Sequence, residues 1–388
     1  MKKKWLKILL LTLSHILVAA VAVTVVLLTQ QKEVSKLDRL QNILEERFIG
    51  DTDPVALQDA AAAAMVNAID DRWSYYISAE SYASYLEQKQ NAYVGIGVTI
   101  TVREDNTGFD VLQVEPGGPA HEAGVQPGDI MTHVEGQPVS ELGLDTATNM
   151  VKGKEGTIVN LTFLRDGQVL ELSMERRTIQ TVVAQWEMLP DNIGYIKINN
   201  FNTNCADETI AAVEELREQG AAALIFDVRN NPGGYVDELV EVLDYLLPEG
   251  VIFRSESYNG IVSEDKSDKN CVELPMAVLY NGNSYSAAEF FAAALEEYDW
   301  AITVGDPTSG KSRYQYTYSL GDGSAVNLSV GKYYTPNGVE LAAVGGLTPQ
   351  VLVEVDDETA SLIYSDLLEP ADDPQLQAAV QALKESAD

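Results

Sequence analysis

Hydrophobic and polar positions change their period along this chain. An apolar run extends from Ile8 to about Thr29, behind Lys2, Lys3, Lys4 and Lys7. Then Val34, Leu37, Leu40, Leu44 and Phe48 recur at helical spacing, which predicts an amphipathic helix. Asp51-Thr-Asp-Pro54 interrupts it, the alanine-rich stretch Val55–Ile69 reads as a second helix, and Ser78 can cap a third over Ala79–Gln90. From about residue 91 the period shortens. Alternation predicts strands at Val98–Val102, Phe109–Val114 and Ile130–Val134, and a hairpin of Ile158–Leu164 and Val169–Met174 around Arg165-Asp166-Gly167. Short helices fit Ala120–Ala123 and Leu144–Val151. Beyond residue 180, the strands Ile193–Ile198, Ala222–Val228, Met276–Tyr280 and Ala301–Gly305 alternate with the helices Asp207–Gln219, Val236–Leu247 and Ala287–Tyr298. That order predicts a buried, mainly parallel sheet between helices. Gln375–Glu385, after Asp372-Asp373-Pro374, closes the chain as a helix. The fold class is therefore α/β and multidomain: 1–33 an anchor, 34–90 helical, 91–178 β-rich with two helices, 179–368 an α/β core, and 369–388 a C-terminal helix.

Composition alters this picture in few places. A length of 388 residues has room for two or three compact units. The net charge of −33 excludes nucleic acid as a partner, since a basic surface is needed to displace counterions. The N-terminal run, roughly 22 residues at ~1.5 Å each, is long enough to cross a bilayer. It is longer than the core of a cleaved signal peptide. Its lysines stay inside, so the expectation is a single pass through the cell membrane with everything after residue 30 extracytoplasmic. Cys205 and Cys271 can pair there, but two cysteines make no disulfide framework. No cluster has zinc-ligand spacing, so neither a metal nor a cofactor is expected.

The chemistry centres on Asn-Gly-Asn-Ser-Tyr-Ser-Ala-Ala-Glu (281–289). Ser286 stands between a strand and a helix, where unpaired N–H groups stabilise a developing oxyanion. Ala287, just after it, is the natural donor. Ser284 is an alternative nucleophile, and either serine can merely cap the helix. A serine needs a base, and histidine is the usual one. The three histidines are His15, His121 and His133, all far upstream. A lysine is the known substitute, provided burial lowers its pKa enough to free the amine. Lys311, in Thr-Ser-Gly-Lys-Ser-Arg-Tyr-Gln (308–315), is the candidate and Lys332 its rival. Gln315, four residues on in a strand-like stretch, shares a face with Lys311 and can hold its nitrogen. Asp-Val-Arg-Asn-Asn-Pro-Gly-Gly (227–234) ends a buried strand, where α/β sheets place ligand sites. There Gly233, or else Gly234, can supply a second oxyanion donor.

Two resemblances follow from these motifs. Tyr93-Val-Gly-Ile-Gly-Val98, Gly118-Pro-Ala-His-Glu-Ala-Gly124 and Gly128-Asp-Ile130 make residues 91–178 resemble a PDZ domain. The resemblance implies that the loop Gly95, Ile96, Gly97 binds the terminal carboxylate of a protein tail, which then adds as a strand. The motifs at 227–234, 281–289, 310–315 and 332–338 occur in the order found in the carboxy-terminal processing proteases, which have a ClpP/crotonase-like core. From about residue 34 onward the chain resembles that family. The resemblance implies a serine endopeptidase with Ser286 as nucleophile, Lys311 as base and Gln315 assisting, 25 residues separating the first two as in the family. It departs at Ser309 and Ser312, where the family usually has an aromatic residue and a glycine. Implied partners are protein or peptide C-terminal tails, a second copy in a homodimer through the terminal helices, and a regulatory protein. Lys152 or Lys154 is a candidate contact between the PDZ segment and the core.

Overall fold

The computed structural model describes residues 35–103 and 105–386, together with Trp5, Ser14, His15, Leu17 and Val18. The expected anchor otherwise lies outside the described residues, and among those described no helix is long and apolar enough to cross a membrane.

The chain divides into two units, Met1–Tyr76 and Ile77–Asp388. The first contains α1 (Lys36–Arg47) and α2 (Pro54–Asn67). Each starts at a side-chain cap. Ser35 Oγ accepts the Asp38 N–H, and the Asp38 carboxylate accepts the Ser35 N–H in return. Asp53 Oδ1 accepts the N–H groups of Val55 and Ala56. Caps of this kind satisfy N–H groups that have no partner within the helix.

The second unit begins with α3 (Ala79–Lys89) and is then built from four sheets. A two-stranded ribbon pairs β1 (Ala92–Gly95) with β7 (Arg177–Gln180). Between them lies an antiparallel sheet: β2 (Val98–Val102), β3 (Phe109–Val114), β4 (Ile130–Val134), β5 (Ile158–Arg165) and β6 (Gln168–Glu175), in that order. A short helix α4 (Pro119–Glu122) and α5 (Leu144–Val151) complete it. Phe109, Met131, Val134, Leu161 and Phe163 form its core with Ile96 and Ala147.

The third part carries the α/β pattern. Its sheet runs β8 (Ala184–Leu189), β9 (Ile193–Ile198), β10 (Ala223–Asp227), β13 (Met276–Tyr280), β14 (Ala301–Gly305) and β17 (Val351–Leu352). Only β8 is antiparallel to its neighbour. Strands buried on both faces read as continuous apolar runs, as in Met276–Tyr280, where every residue is buried. One face is covered by α6 (Cys205–Glu218), α7 (Val236–Leu246) and α8 (Ala287–Glu297). The other is covered by α9 (Pro374–Ser386), whose Leu376, Ala379 and Leu383 pack on Ile193, Ile225, Leu279 and Val304. The C-terminal helix is thus part of the core and spends its apolar face there.

A further antiparallel sheet holds β11 (Gly250–Ser257), β12 (Val262–Ser267), β15 (Arg313–Ser319) and β16 (Ala325–Tyr334), with β16 joining β15 to β11. The β11–β12 hairpin is absent from the sequence expectation. Both cysteines are free, Cys205 buried and Cys271 partly so.

Candidate active site

Ser286 sits at the start of α8 with φ 60° and ψ −126°. A non-glycine residue held there stores strain of roughly 1–3 kcal/mol, which persists only where the surroundings enforce it. A strained serine between strand and helix is the geometry that pushes a nucleophile out of the backbone. The enforcement is visible. Ser286 N–H donates to Glu289 Oε2 at 2.9 Å, and the Glu289 N–H donates back to the Ser286 carbonyl at 2.9 Å.

Glu289 is fully buried and was not singled out from sequence. Its Oε2 also accepts the Lys311 N–H at 2.8 Å. Its Oε1 accepts the Gly310 N–H at 2.6 Å and the Thr308 hydroxyl at 2.5 Å. Burial pushes its pKa up, and these four hydrogen bonds oppose that shift. One carboxylate oxygen therefore ties together the backbones of Ser286 and Lys311, which are distant in sequence. In Glu289→Gln, an NH2 group must replace one oxygen and face N–H donors. Leaving a buried donor unsatisfied costs about 1–3 kcal/mol. The expected result is a fall in kcat of about 10- to 100-fold with KM little changed, measured by steady-state kinetics beside circular dichroism.

The two motifs are knitted by side chains. Asn231 is completely buried. It donates to the Ile198 carbonyl, accepts the Gly233 N–H on Oδ1 at 2.8 Å, and accepts the Tyr285 N–H on its backbone oxygen. Asn230 Oδ1 accepts from the amides of Asn281 and Asn283. Ser284 Oγ donates to the Val228 carbonyl at 2.7 Å and accepts the Asn281 N–H. Ser284 is thus committed to holding the two loops together.

Gly233 has φ +83°, and a methyl group there would lie 2.7 Å from Ser286 Cβ and 2.8 Å from the Ala287 nitrogen. Gly234 is needed for a different reason: its backbone lies against Phe201, where a methyl group would come within 2.1 Å of the carbonyl. The structure therefore places Gly233, Ser286 and Ala287 side by side. The Gly233 N–H is engaged by Asn231 in this arrangement.

Lys311 is half-buried, and its Nζ lies 5.8 Å from the centre of the ring of Tyr285, the residue before Ser286. Lys332, its rival, is on the surface in an ion pair with Glu340 at 3.0 Å. Ser309 and Ser312, the departures from the family pattern, both have partners: Ser309 Oγ donates to the Gly282 carbonyl, and Ser312 Oγ accepts the Ala342 N–H. The Gln315 amide donates to the Arg313 carbonyl and to Ser329 Oγ. Ser286 Oγ itself is bonded to the hydroxyl of Tyr333 at 2.6 Å. Tyr333 is buried among Phe253, Phe290 and Tyr314. Burial pushes its pKa up, so this phenol stays neutral.

Below the glycine loop, Arg229 is buried between two carboxylates. It bonds Asp227 at 2.6 Å and Asp373 at 2.7 Å, and donates to Gln375 Oε1 at 3.1 Å. Tyr195 donates to Asp227 at 2.7 Å. Burial alone would raise the Asp227 pKa, but the Arg229 charge and these hydrogen bonds hold it below the usual carboxylate value. Removing one partner of such a buried set costs about 3–5 kcal/mol. Arg229→Met is therefore expected to lose about that much in urea unfolding. For the intact set, a depressed folded-state pKa means that its stabilisation is present above the ordinary carboxylate pKa and is lost as pH falls through the depressed one.

In the 91–178 segment, the Ile96 carbonyl accepts the Ala120 N–H and the Gly97 carbonyl accepts the Glu115 N–H, both at 2.9 Å. These bonds fix the loop Gly95–Gly97 at the head of β2, a terminal strand of its sheet. The Ile96 side chain is in the core. Lys152 reaches Glu87 of α3 at 2.9 Å and the Tyr93 ring, rather than the α/β core. No group of three or more potential metal ligands occurs among the described residues.

Comparison with known proteins gives two family matches: peptidase family S41 over residues 192–353 and PDZ domain over residues 94–175. The carboxy-terminal processing protease CtpA of Bacillus subtilis is 34% identical over 343 residues, covering 87% of this chain and 72% of that protein. The chloroplastic carboxyl-terminal-processing peptidase 2 of Arabidopsis thaliana is 33% identical, covering 74% of this chain and 58% of that one. A solved structure of a putative S41 protease from Bacteroides fragilis aligns with a TM-score of 0.53 at 18% identity, covering 90% of this chain and 98% of that one, a likeness of fold.

Proposed function

The chain belongs to the carboxy-terminal processing proteases, serine proteases of peptidase family S41 that carry a PDZ domain, and from that premise we propose that it cleaves extracytoplasmic proteins with a Ser286–Lys311 dyad. Neutral Lys311 takes the proton from Ser286, whose Oγ attacks the peptide carbonyl. The N–H groups of Ala287 and Gly233 hold the oxyanion. The protonated lysine returns its proton to the leaving amine, and water then hydrolyses the acyl-enzyme. The observation that supports this most is the single Glu289 oxygen accepting the N–H groups of both Ser286 and Lys311.

Ser286 Oγ is held by Tyr333 and the Gly233 N–H by Asn231, so a substrate must displace both contacts. Gln315 acts on Lys311 only after its amide leaves Arg313 and Ser329. The loop Gly95–Gly97 takes the C-terminal tail of the substrate, and residues 1–33 anchor the enzyme in the cell membrane, on the support of the apolar run and its lysines. A homodimer and a regulatory partner belong to the same reading.

The test is an unfolded reporter with an apolar C-terminal tail, incubated with the full-length chain and with Ser286→Ala. Cleavage by the wild type alone supports the reading. Tail binding with no cleavage and no reaction of Ser286 with a fluorophosphonate turns it into a scaffold that sequesters tails.

A further inference from the structure

β15 begins two residues beyond Lys311 and carries a tyrosine at every second position: Tyr314, Tyr316 and Tyr318. Alternate residues of a strand project from one face. Tyr314 is half-buried, whereas Tyr316 and Tyr318 are 60% and 44% exposed. The register extends the patch, because directly opposed residues share a face: Leu328 faces Tyr316 and Val326 faces Tyr318. Leu320, next in the alternation, is exposed as well. On the opposite face Gln315 and Thr317 are half-buried, and Thr317 is bonded to Tyr85 of α3 at 2.8 Å. A chain of charge −33 thus leaves one aromatic strand face open, and an apolar patch of that kind marks a binding surface.

Ring contacts connect this face to the nucleophile. Tyr316 lies 5.7 Å from Tyr314, Tyr314 stacks on Tyr333 at 6.1 Å, and the Tyr333 hydroxyl bonds Ser286 Oγ at 2.6 Å. We infer that Tyr316 and Tyr318, continuing from Tyr314, bind an extended substrate chain beside Ser286 and select apolar side chains several residues from the cleaved bond. The inference rests on the reading of Ser286 as nucleophile. The spacing suits it. Every second residue of an extended peptide advances about 6.7 Å, as do successive tyrosines on the strand. Ring faces accept many apolar side chains without demanding one shape, which fits a protease acting on unfolded chains.

The experiment uses the full-length chain in detergent. Reduced, carboxymethylated lactalbumin serves as an unfolded substrate, and a small fluorophosphonate reports the reactivity of Ser286. The double variant Tyr316→Ser/Tyr318→Ser is expected to raise KM for lactalbumin about 10-fold or more, with kcat and the labelling rate unchanged. Tyr316→Phe/Tyr318→Phe is expected to keep the wild-type KM. An unchanged KM in the serine variant overturns the inference. A parallel fall in labelling also overturns it, because the tyrosines would then support the fold. Conversion of a dimer to a monomer at unchanged KM assigns the face to a second copy and overturns it too. If the wild type neither cleaves nor labels, the Ser286 reading itself fails and takes this inference with it.

Discussion

Lys311→Met is expected to reduce cleavage of the unfolded reporter by about 10⁴-fold or more, and Ser286→Ala to do the same, with the double variant little worse than either. Removing members of one catalytic unit is grossly non-additive, because the first loss already disables the step the others serve. Residual activity over water then comes from the oxyanion donors and from binding. Methionine keeps most of the volume of the lysine stem, and only the approach of Nζ to the Tyr285 ring is lost with the amine. The Lys311 N–H that reaches Glu289 belongs to the backbone and is not altered. The variant therefore removes the amine and little else. Additive losses in the double variant would show that Lys311 and Ser286 act separately. Lys332→Met is the control. Its ammonium serves a surface pair with Glu340, and exposed pairs contribute about 0–1 kcal/mol, so activity should hold.

Gly233→Ala is expected to cost about 10³-fold in kcat. The backbone at φ +83° disfavours any residue with a Cβ, yet that strain is the smaller effect. The added methyl group would collide with Ser286 Cβ, the Ala287 nitrogen and the Tyr285 carbonyl, all of them backbone or next to it. No flexible side chain can yield, so either the glycine loop or the head of α8 must shift. Either shift separates the two proposed oxyanion donors, and loss of one such donor alone costs about 10²–10³ in kcat. Steady-state kinetics with fluorophosphonate labelling is the measurement. Near-normal labelling and turnover would show that the loop relaxes away from Ser286 without consequence, and would remove Gly233 from the site.

The parts of this arrangement that were legible in the sequence are those written in a local pattern. Met276–Tyr280 and Ala301–Gly305 match their expected limits because strands buried on both faces are uninterrupted apolar runs. Val98–Val102 and Leu144–Val151 also match. The β11–β12 hairpin escaped because its sequence, Val262-Ser-Glu-Asp-Lys-Ser267 above all, is polar: β12 is solvent-exposed along most of its length. Such a strand carries no hydrophobic alternation to read. Motifs single out Ser286, Lys311 and Gly233 as candidates, but not the residues that hold them in place. Glu289 lies within the 281–289 motif and reads as part of its helix. Its signal was there, a single charge among Ala287, Ala288, Phe290 and Phe291 in a helix apolar all round. Tyr333 meets Ser286 across 47 positions, a contact that only the sheet register creates. The register also separates Lys332 from Tyr333, sending the first to solvent and the second to Ser286.

The buried Arg229 set has a consequence in time. Arg229 leaves the ribosome 144 residues ahead of Asp373, which directly precedes the helix Pro374–Ser386, and Gln375 lies in the first turn of that helix. Until that helix docks, the guanidinium beneath the glycine loop has one carboxylate in place of two. An incomplete chain that ends before Asp373 should therefore fail to label with a fluorophosphonate, even though Ser286, Lys311 and Glu289 are all present in it. Reactivity at Ser286 is in this way expected to wait for Asp373 and Gln375, far along the chain from the loops they support.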